Sequence, residues 1–548
     1  MADRLVRVAV RRNAYADSVT LLQVSSTVAA LPGVVDASLV MGTDLNRAVL
    51  EDSGLLVDEA VSAGPNDLVV AVRAEDATAA DAALKRADAL LAERRQTHAG
   101  PTLEPAPRSL RSAHHRLPAA NLALISVPGA YAAAEAWQAL SEGLHVLLFS
   151  DNVPLQDEIA LKQRGRELGL LVMGPDCGTS ILGGIGLGFA NSVRRGRIGL
   201  IGASGTGLQE VTTLLHQAGE GISHALGTGG RDLDTQVGAM TTLQALELLA
   251  ADAETDVIVL ISKPPAPEVA ERVLAAAAQS RKRVIACLLG FDPLSLTLSP
   301  LGEREKTPSP RPSRRGRGET PSPRLVERFS PDPGVRGAIQ FARNLYQAAR
   351  LAASPHADWE GMELGELPRP RLAVGQDRAL GLYCGGTLCE EAALVLTDSR
   401  HASIDFGDDR YTRGRAHPMI DPTLRNHAIV EAGANPSIAV LLLDVILGYG
   451  AHTDPAAVLA PVVEQAIARA AQDGRVLSVF GHVVGTDWDA QNLARQQTRL
   501  RAAGMHLFGS NYHAAVAASL LVEGLEDPVR GSTGSPRTGN AHGSTSSP

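Results

Sequence analysis

The chain has 548 residues, of which 45% are hydrophobic and only 3% aromatic, and it carries a formal net charge of −9. This length predicts several domains with ordinary aliphatic cores. The acidic balance argues against nucleic acid as a partner, because surfaces that bind DNA or RNA are basic.

Membrane insertion and disulfide bonding are not expected either. No run of about 18 apolar residues occurs, and the first residues lead into a strand pattern without a signal-peptide core. The four cysteines show no CxxC spacing, which is typical of reduced thiols and predicts no metal site. We therefore expect a cytoplasmic protein.

Residues 1–98 predict a small ferredoxin-like α+β domain. Alternation of apolar and polar residues indicates strands, and apolar spacing of three and four indicates helices. In chain order these elements are expected at 4–12, 18–31, 34–41, 67–72 and 78–95. A linker rich in proline and basic residues follows at 100–115.

Residues 113–193 change to an α/β pattern, in which short apolar runs alternate with helices. The runs and helices are expected at 122–127, 131–142, 146–149, 154–168 and 170–173. Such alternation is typical of a parallel sheet covered by helices, and it predicts a Rossmann-like segment.

The most informative motif is Arg197–Val211, where an apolar strand enters Gly202-Ala203-Ser204-Gly205-Thr206-Gly207 and a helix follows. Backbone N–H groups at a helix N-terminus bind anions, and glycine allows a ligand to approach the main chain. The motif lacks the Gly-Lys-Ser/Thr ending of a nucleotide P-loop. A tight turn without a ligand is the alternative interpretation.

This unit is repeated later in the chain. Residues 198–210 resemble 379–392, which contain Gly385-Gly386-Thr387; 256–263 match 437–444, and 283–290 match 475–481. The repeat predicts two flavodoxin-like parallel-sheet domains, at 195–293 and 378–522, whose glycine loops converge on one cleft.

Three further segments complete the predicted organisation. Residues 295–330 are dominated by Pro, Ser and Arg and predict a disordered insertion. A helical connector is expected at 336–370, and a disordered tail at 523–548.

Several predicted strands end in loops that carry Gly, Ser, Thr, Asp, Lys or His, where ligands of parallel sheets gather. The residues expected to bind a small anion are Gly202, Ser204, Gly205, Thr206, Gly207, Gly229, Gly230, Arg231, Asp232, Gly385, Gly386, Thr387 and Cys177.

No catalytic residue stands out, and Lys263, Arg231 and His482 are weak candidates. Lys263 follows an apolar strand and could pair with a phosphate, or could be a solvated lysine at a domain rim. Arg231 and Asp232 could form an orienting ion pair for an anion clamp, or a loop salt bridge of little energy. Cys177 could be a nucleophile only if its thiolate were stabilised.

Four motifs in this order resemble the FdrA family, a branch of the NDP-forming succinyl-CoA synthetase-like superfamily. They are Gly174-Pro175-Asp176-Cys177-Gly178-Thr179, the 202–207 loop, Gly227-Thr228-Gly229-Gly230-Arg231-Asp232, and the 257–265 strand ending in Ser262-Lys263-Pro264-Pro265. The resemblance covers most of 1–293 and 336–522. It implies part of a CoA-binding domain at 113–193, although the usual glycine-rich first turn is absent there, and two ligase domains on one chain.

The resemblance also shows a departure from the family. Ligases of this superfamily phosphorylate a histidine in a Gly-His-x-Gly-Ala loop, which should follow the strand at 284–289. This chain has Gly290-Phe291-Asp292-Pro293 there, and no candidate ATP-grasp domain is recognisable. A complete ATP-driven CoA ligase is therefore not expected from this polypeptide alone.

Three functions stay open. Members of the FdrA family resemble a subunit of oxamate carbamoyltransferase in purine and allantoin catabolism, which implies carbamoyl phosphate as a substrate and partner subunits. The second is an acyl-CoA synthetase-like protein that binds CoA or an acyl phosphate. The third is a scaffold without catalysis. No cofactor is required by the sequence itself.

Overall fold

A computed structural model describes residues 5–98 except 15, 17 and 30, residues 107–291, and residues 339–523 except 366, 369, 413 and 414. The chain divides into two compact units. One comprises residues 1–121 and 406–425, and the other comprises 122–405 and 426–548. The predicted insertion at 295–330 and the tail from 524 lie outside the described residues.

The first unit contains a three-stranded antiparallel sheet in the order β1-β3-β2. Its elements are β1 (Leu5–Arg11), α1 (Ser18–Ala29), β2 (Val34–Met41), α2 (Asp44–Asp52), α3 (Asp58–Val61), β3 (Leu68–Ala74), α4 (Ala77–His98), α5 (Leu110–Arg116) and α13 (Asp409–Thr412). The ferredoxin-like module is confirmed. The short helices α2 and α3 between β2 and β3 were not predicted, because neither is long enough to show a clear periodicity.

The second unit begins with a three-stranded parallel sheet in the order β4-β5-β6. Its elements are β4 (Leu122–Ile125), α6 (Gly129–Ser141), β5 (His145–Leu148), α7 (Leu155–Leu168) and β6 (Val172–Met173). This is the predicted Rossmann-like segment. The next two strands, β7 (Thr179–Leu182) and β8 (Ile185–Gly188), form a hairpin that joins the following sheet across the predicted boundary at 193.

A seven-stranded sheet follows, in the order β13-β12-β11-β9-β10-β7-β8. Its further elements are β9 (Arg195–Ala203), α8 (Gly205–Gln217), β10 (Ile222–Gly227), α9 (Met240–Ala251), β11 (Val257–Ser262), α10 (Pro267–Ala277), β12 (Arg283–Leu288), β13 (Ile339–Phe341) and α11 (Leu345–Ala352). All six residues of β11 are buried, as expected for a parallel strand covered on both faces.

The last sheet has five parallel strands in the order β15-β14-β16-β17-β18. Its elements are β14 (Arg378–Tyr383), α12 (Gly386–Val395), β15 (Ala402–Asp405), α14 (Thr423–Ala434), β16 (Ile438–Ile446), α15 (Pro455–Gln472), β17 (Ser478–Val484), α16 (Leu493–Ala502), β18 (Met505–Leu507) and α17 (Asn511–Glu523).

The two large sheets share one topology. Numbered within each repeat, the parallel strands β9 to β13 and β14 to β18 both lie in the order 2-1-3-4-5, which is the flavodoxin-like order. The repeat and its fold are therefore confirmed. The first flavodoxin-like domain carries the β7–β8 hairpin as an addition beside β10.

Strand pairing corrects one detail of the sequence repeat. Ile201 lies beside Leu260 in the first sheet, and its equivalent Leu382 lies beside Leu443 in the second. Asp444 is therefore equivalent to Ile261, not to Lys263, so the match of 256–263 with 437–444 is wrong by two residues. Apolar runs carry no marker of register, and β16 is three residues longer than β11.

The core of the first flavodoxin-like domain is aliphatic, as the low aromatic content requires. Leu200, Ile201, Ile258, Leu260 and Val284 are each at most 2% exposed. Burying a side chain of this kind contributes about 1.5–3 kcal/mol. Among the described residues no helix has the length and apolar character needed to cross a bilayer.

Candidate functional site

The two repeated helices begin against one another. Ser204 is the N-cap of α8, and its Oγ accepts a hydrogen bond of 3.0 Å from the Gly207 N–H. The same Oγ lies 2.6 Å from Oγ1 of Thr387, the second residue of α12. The expected convergence of the two glycine loops is therefore confirmed. Because helix N-termini carry partial positive charge, the contact concentrates that charge between the two domains.

Glycine is required for this close approach. A Cβ on Gly207 would collide with the Ser204 hydroxyl, and a Cβ on Gly385 would lie 2.9 Å from Cγ2 of Thr206. Since real Cβ atoms do not tolerate such distances, a larger residue at Gly207 would displace the Ser204 cap, and one at Gly385 would force the two helix starts apart. The predicted ligand-binding role of Gly202, Gly205 and the other loop residues stays a prediction.

The loop at the start of α12 already holds a carboxylate of this chain. The backbone N–H groups of Cys384 and Gly385 donate to the two oxygens of Asp444, each at 2.7 Å. Asp444 lies in the otherwise apolar strand β16 and is fully buried. In the first domain the equivalent residue is Ile261, so the α8 loop has no such internal carboxylate. A single acidic residue within an apolar run was the sequence signal for this feature.

Lys263 is the candidate cation nearest to the paired helix starts. It follows β11 directly and is half-buried. A Cβ on Gly386, the first residue of α12, would collide with the Asp405 carboxylate and would lie 2.6 Å from the Lys263 Nζ. Within the described part of the chain Lys263 makes no hydrogen bond or ion pair. Its ammonium group therefore lies at the start of α12, near the Asp405 carboxylate but without a direct ion pair.

Arg231 and Asp232 do not form the predicted ion pair. Asp232 accepts hydrogen bonds from Lys162 Nζ at 2.7 Å and from the Thr242 N–H at 2.8 Å. Arg231 instead pairs with Glu158, with 2.9 Å between Nη2 and Oε2. Asp232 is completely buried at the start of α9, so its carboxylate stabilises the packing of α9 against α7.

The glycines of the same loop approach another predicted loop. Gly229 has a φ of +91°, and a Cβ there would collide with the Pro175 carbonyl. A Cβ on Gly230 would lie 3.0 Å from the Asp176 carboxylate. The 174–177 and 227–232 loops are therefore packed together at one edge of the second unit.

Cys177 lies beneath these loops and is 2% exposed. Its Sγ lies 3.6 Å from the Ser180 hydroxyl. Burial raises the pKa of the Cys177 thiol to about 11, so the group is protonated at neutral pH. Since only the thiolate is a good nucleophile, the geometry does not support a nucleophilic role for Cys177.

His482 lies behind the paired helix starts in a buried polar cluster. Its Nε2 is 3.0 Å from Oε2 of Glu210, and its Nδ1 is 2.9 Å from the Phe508 carbonyl. Glu391 and Asn511 complete the cluster. The sequence reasoning missed Glu210 and Glu391, although both repeats contain Gly-Thr followed four residues later by Glu.

Family models match three parts of the chain. The AllF heavy metal-associated domain matches residues 1–107, the CoA-binding domain matches 193–289, and the CoA-ligase domain matches 382–521. The CoA-binding match thus falls on the first flavodoxin-like domain, and the CoA-ligase match falls on the second.

The first of these domains does not fit a heavy-metal site. Residues 1–107 contain no cysteine, one histidine (His98) and two methionines (Met1 and Met41). Heavy metal ions are held by thiolate, thioether or imidazole groups. Among the described residues no group of three or more His, Cys, Asp or Glu side chains is placed to hold a metal. The side chains of residues 1–107 therefore differ from the metal-binding side chains that the name of the domain implies.

Related proteins place the chain in a family. The uncharacterised protein YahF of Escherichia coli K12 is 37% identical over 544 residues, which is 94% of this chain and 98% of YahF. Succinate–CoA ligase [ADP-forming] subunit alpha-2 of Trichomonas vaginalis is 34% identical over 26% of this chain and 47% of its own length. The chain therefore spans about half of that relative.

A solved structure, the apo dinucleotide-forming acetyl-coenzyme A synthetase 1 of Candidatus Korarchaeum cryptofilum, is 16% identical. The match covers 73% of this chain and 82% of that one, with a TM-score of 0.29. The near full-length similarity to YahF, together with the AllF-type, CoA-binding and CoA-ligase domains, shows that this chain belongs to the FdrA family of succinyl-CoA synthetase-like proteins.

Proposed function

We propose that this protein binds a small acyl phosphate at the paired starts of α8 and α12 and takes part in acyl-group transfer of the CoA-ligase type. The observation that carries the proposal is the contact of 2.6 Å between the Ser204 and Thr387 hydroxyls. It brings two helix N-termini from two domains to one point.

The electrostatics of this point favour a dianion. Each helix start supplies N–H groups and partial positive charge. The α12 start is partly neutralised by Asp444, so the α8 loop and the Lys263 ammonium supply most of the attraction. Because Ser204 and Thr387 touch, their loops must separate slightly for a phosphate to lie between them.

Carbamoyl phosphate is the ligand that the family resemblance favours. Transfer from such a compound needs a positioned carbonyl group, stabilisation of its developing oxyanion and release of phosphate. None of these steps requires a phosphorylated histidine. We propose that partner subunits supply the acceptor or the ATP-dependent step.

The CoA-binding match at residues 193–289 supports a second candidate function. In this alternative the thiol of CoA accepts the acyl group, as in acyl-CoA synthetases. Binding of carbamoyl phosphate without CoA supports the first function, and binding of CoA supports the second. A protein that binds neither ligand is better described as a scaffold.

Calorimetric titration of the full chain with carbamoyl phosphate, inorganic phosphate and CoA tests the proposal. Lys263→Met removes the cation at the start of α12 and should weaken binding of the phosphorylated ligand at least tenfold. Lys85→Met is the matched control, because it removes the same charge from an exposed position on α4. If Lys263→Met keeps the wild-type affinity for whichever ligand binds, the site lies elsewhere.

A further inference from the structure

The repeat places two buried glutamates at equivalent positions. Glu210 is the sixth residue of α8, and Glu391 is the sixth residue of α12. They are 0% and 2% exposed. Both lie about 7.5 Å along their helices from the first residue, since each residue advances a helix by about 1.5 Å. A pair of carboxylates in such a position needs compensation, because burial of an unpaired charge is strongly unfavourable.

The compensation comes from across the boundary between the two flavodoxin-like domains. Glu210 of the first domain accepts a hydrogen bond of 3.2 Å from the Asn511 N–H and lies 3.0 Å from His482 of the second. Glu391 of the second domain accepts from the Leu345 N–H, at the start of α11 in the first, at 2.8 Å. Asn511 Nδ2 also donates to Glu391, at 2.8 Å, so this one residue connects both glutamates, Glu210 through its backbone N–H and Glu391 through its side chain.

The hydrogen-bond partners show how protons are arranged. Nδ1 of His482 faces the Phe508 carbonyl at 2.9 Å, and a carbonyl only accepts, so Nδ1 carries a hydrogen. Nε2 faces the Glu210 carboxylate, which also accepts unless it is protonated. A hydrogen is therefore needed between Nε2 and the carboxylate as well. The His482–Glu210 pair holds one proton more than a neutral imidazole beside an ionised carboxylate.

We propose that Glu210, Glu391 and His482 form a proton-operated latch between the two flavodoxin-like domains. With its protons bound, the latch holds the domains together. As the pH rises through neutrality, the protons leave and the contact between α8 and α12 loosens. The further step, that this opens the space between Ser204 and Thr387 to a ligand, rests on the proposed function.

The directions of the pKa shifts agree with this geometry. Burial, reinforced by the nearby Glu210, raises the pKa of Glu391 to about 7. Burial alone would lower the pKa of His482, but the Glu210 carboxylate outweighs it and raises that pKa above its ordinary value. A group whose pKa is raised in the folded state stabilises it at low pH and loses that effect as the pH rises through the folded pKa. Both groups therefore weaken the contact in the same direction.

The other groups around the cluster do not oppose this change. Burial lowers the pKa of His513 to about 4, so this imidazole is neutral near pH 7. Burial raises the pKa of the surrounding phenols and of the nearest thiol, so they stay protonated. These are Tyr346 on α11, Tyr383 on β14, Tyr512 on α17 and Cys287 on β12. Arg350 on α11 contributes to lowering the pKa of His513, and Asp444 on β16 is held by Cys384 and Gly385.

Hydrogen–deuterium exchange of the full chain without ligand tests the latch. Amide exchange in α8 and α12 is measured at about pH 6 and pH 8.5 and corrected for the intrinsic pH dependence. We expect protection to fall in wild type by up to about tenfold per pH unit for each proton released. Equal protection at both pH values would overturn the latch, and this result needs no variant.

Two variants sharpen the test. Glu391→Gln imitates the protonated acid, so its pH dependence should decrease relative to wild type. His356→Gln is the matched control, because it removes an exposed histidine outside the cluster and should leave the wild-type profile unchanged. A Glu391→Gln protein with the full wild-type pH dependence would exclude Glu391 from the latch. Failure of carbamoyl phosphate and CoA to bind at either pH would overturn the proposed function and leave the latch intact.

Discussion

The hydroxyl oxygens of Ser204 and Thr387, which are 183 positions apart in the chain, lie 2.6 Å apart. Ser204 caps α8, and Thr387 lies in the first turn of α12. One hydrogen bond therefore joins the equivalent loops of two repeated domains. The contact makes the junction of two helix N-termini, and not either glycine loop alone, the candidate site of this protein.

This contact should be measurable as coupling between the two residues. Ser204→Ala removes a helix cap and should reduce the free energy of unfolding by about 0.5–2 kcal/mol. Thr387→Val removes only the partner hydroxyl and should cost about 0.5–1.5 kcal/mol. Because both variants break the same bond, the double variant should cost less than the sum. Urea denaturation of the three variants checks this, and strict additivity would show that the hydroxyls do not interact.

Gly386→Ala should weaken anion binding without unfolding the protein. The added methyl group collides with the Asp405 carboxylate and displaces the Lys263 ammonium. A flexible lysine end can move, so we expect a loss of affinity of at least tenfold and a small change in stability. Gly178→Ala is the control, because its methyl group would meet only Phe189, at 3.5 Å. Equal affinities of the two variants, measured by calorimetry, would remove Lys263 from the site.

Asp232→Asn should be much more destabilising than removal of a surface charge. It leaves Lys162 and Arg231 to share the single carboxylate of Glu158, with one positive charge in excess, and breaking such a buried pair costs about 3–5 kcal/mol. Glu254→Gln breaks the exposed pair with Arg195 and should cost less than about 1 kcal/mol. Thermal and urea unfolding compare the two variants. Similar losses would contradict the structural role of Asp232.

The cysteines should resist alkylation in the folded protein. All four are buried, and the pKa of Cys177 is raised to about 11 by burial. Since the thiolate is the reactive form, iodoacetamide at about pH 7.5 should label none of them, and labelling of Cys177 should increase only as the pH approaches 11. Protein unfolded in urea provides the control for full labelling. Rapid native labelling of Cys177 at neutral pH would restore it as a candidate nucleophile.

Several features of the fold follow from local sequence patterns. The β2 strand at 34–41, the α8 glycine loop and the repeat of the two flavodoxin-like domains were all predicted, because alternation, helical spacing and glycine-rich turns are properties of neighbouring residues. The strand order 2-1-3-4-5 of both sheets is that of the flavodoxin-like fold, which the repeat predicted. The alignment of β11 with β16 could not be obtained from local patterns, because the apolar residues of these strands are interchangeable.

The site depended more strongly on the tertiary structure. Arg231 and Asp232 are adjacent in the chain but pair with Glu158 and Lys162, because the fold packs α7, which carries both partners, against their loop. Glu210 and Glu391 occur at the same spacing in both repeats, yet only the packed domains bring them to Asn511 and His482. The sequence by itself determined the two glycine loops and their helices, since backbone geometry is local. Only the tertiary structure decided that Asp444 fills the α12 loop and that Ser204 contacts Thr387, because such contacts depend on how distant strands and helices pack.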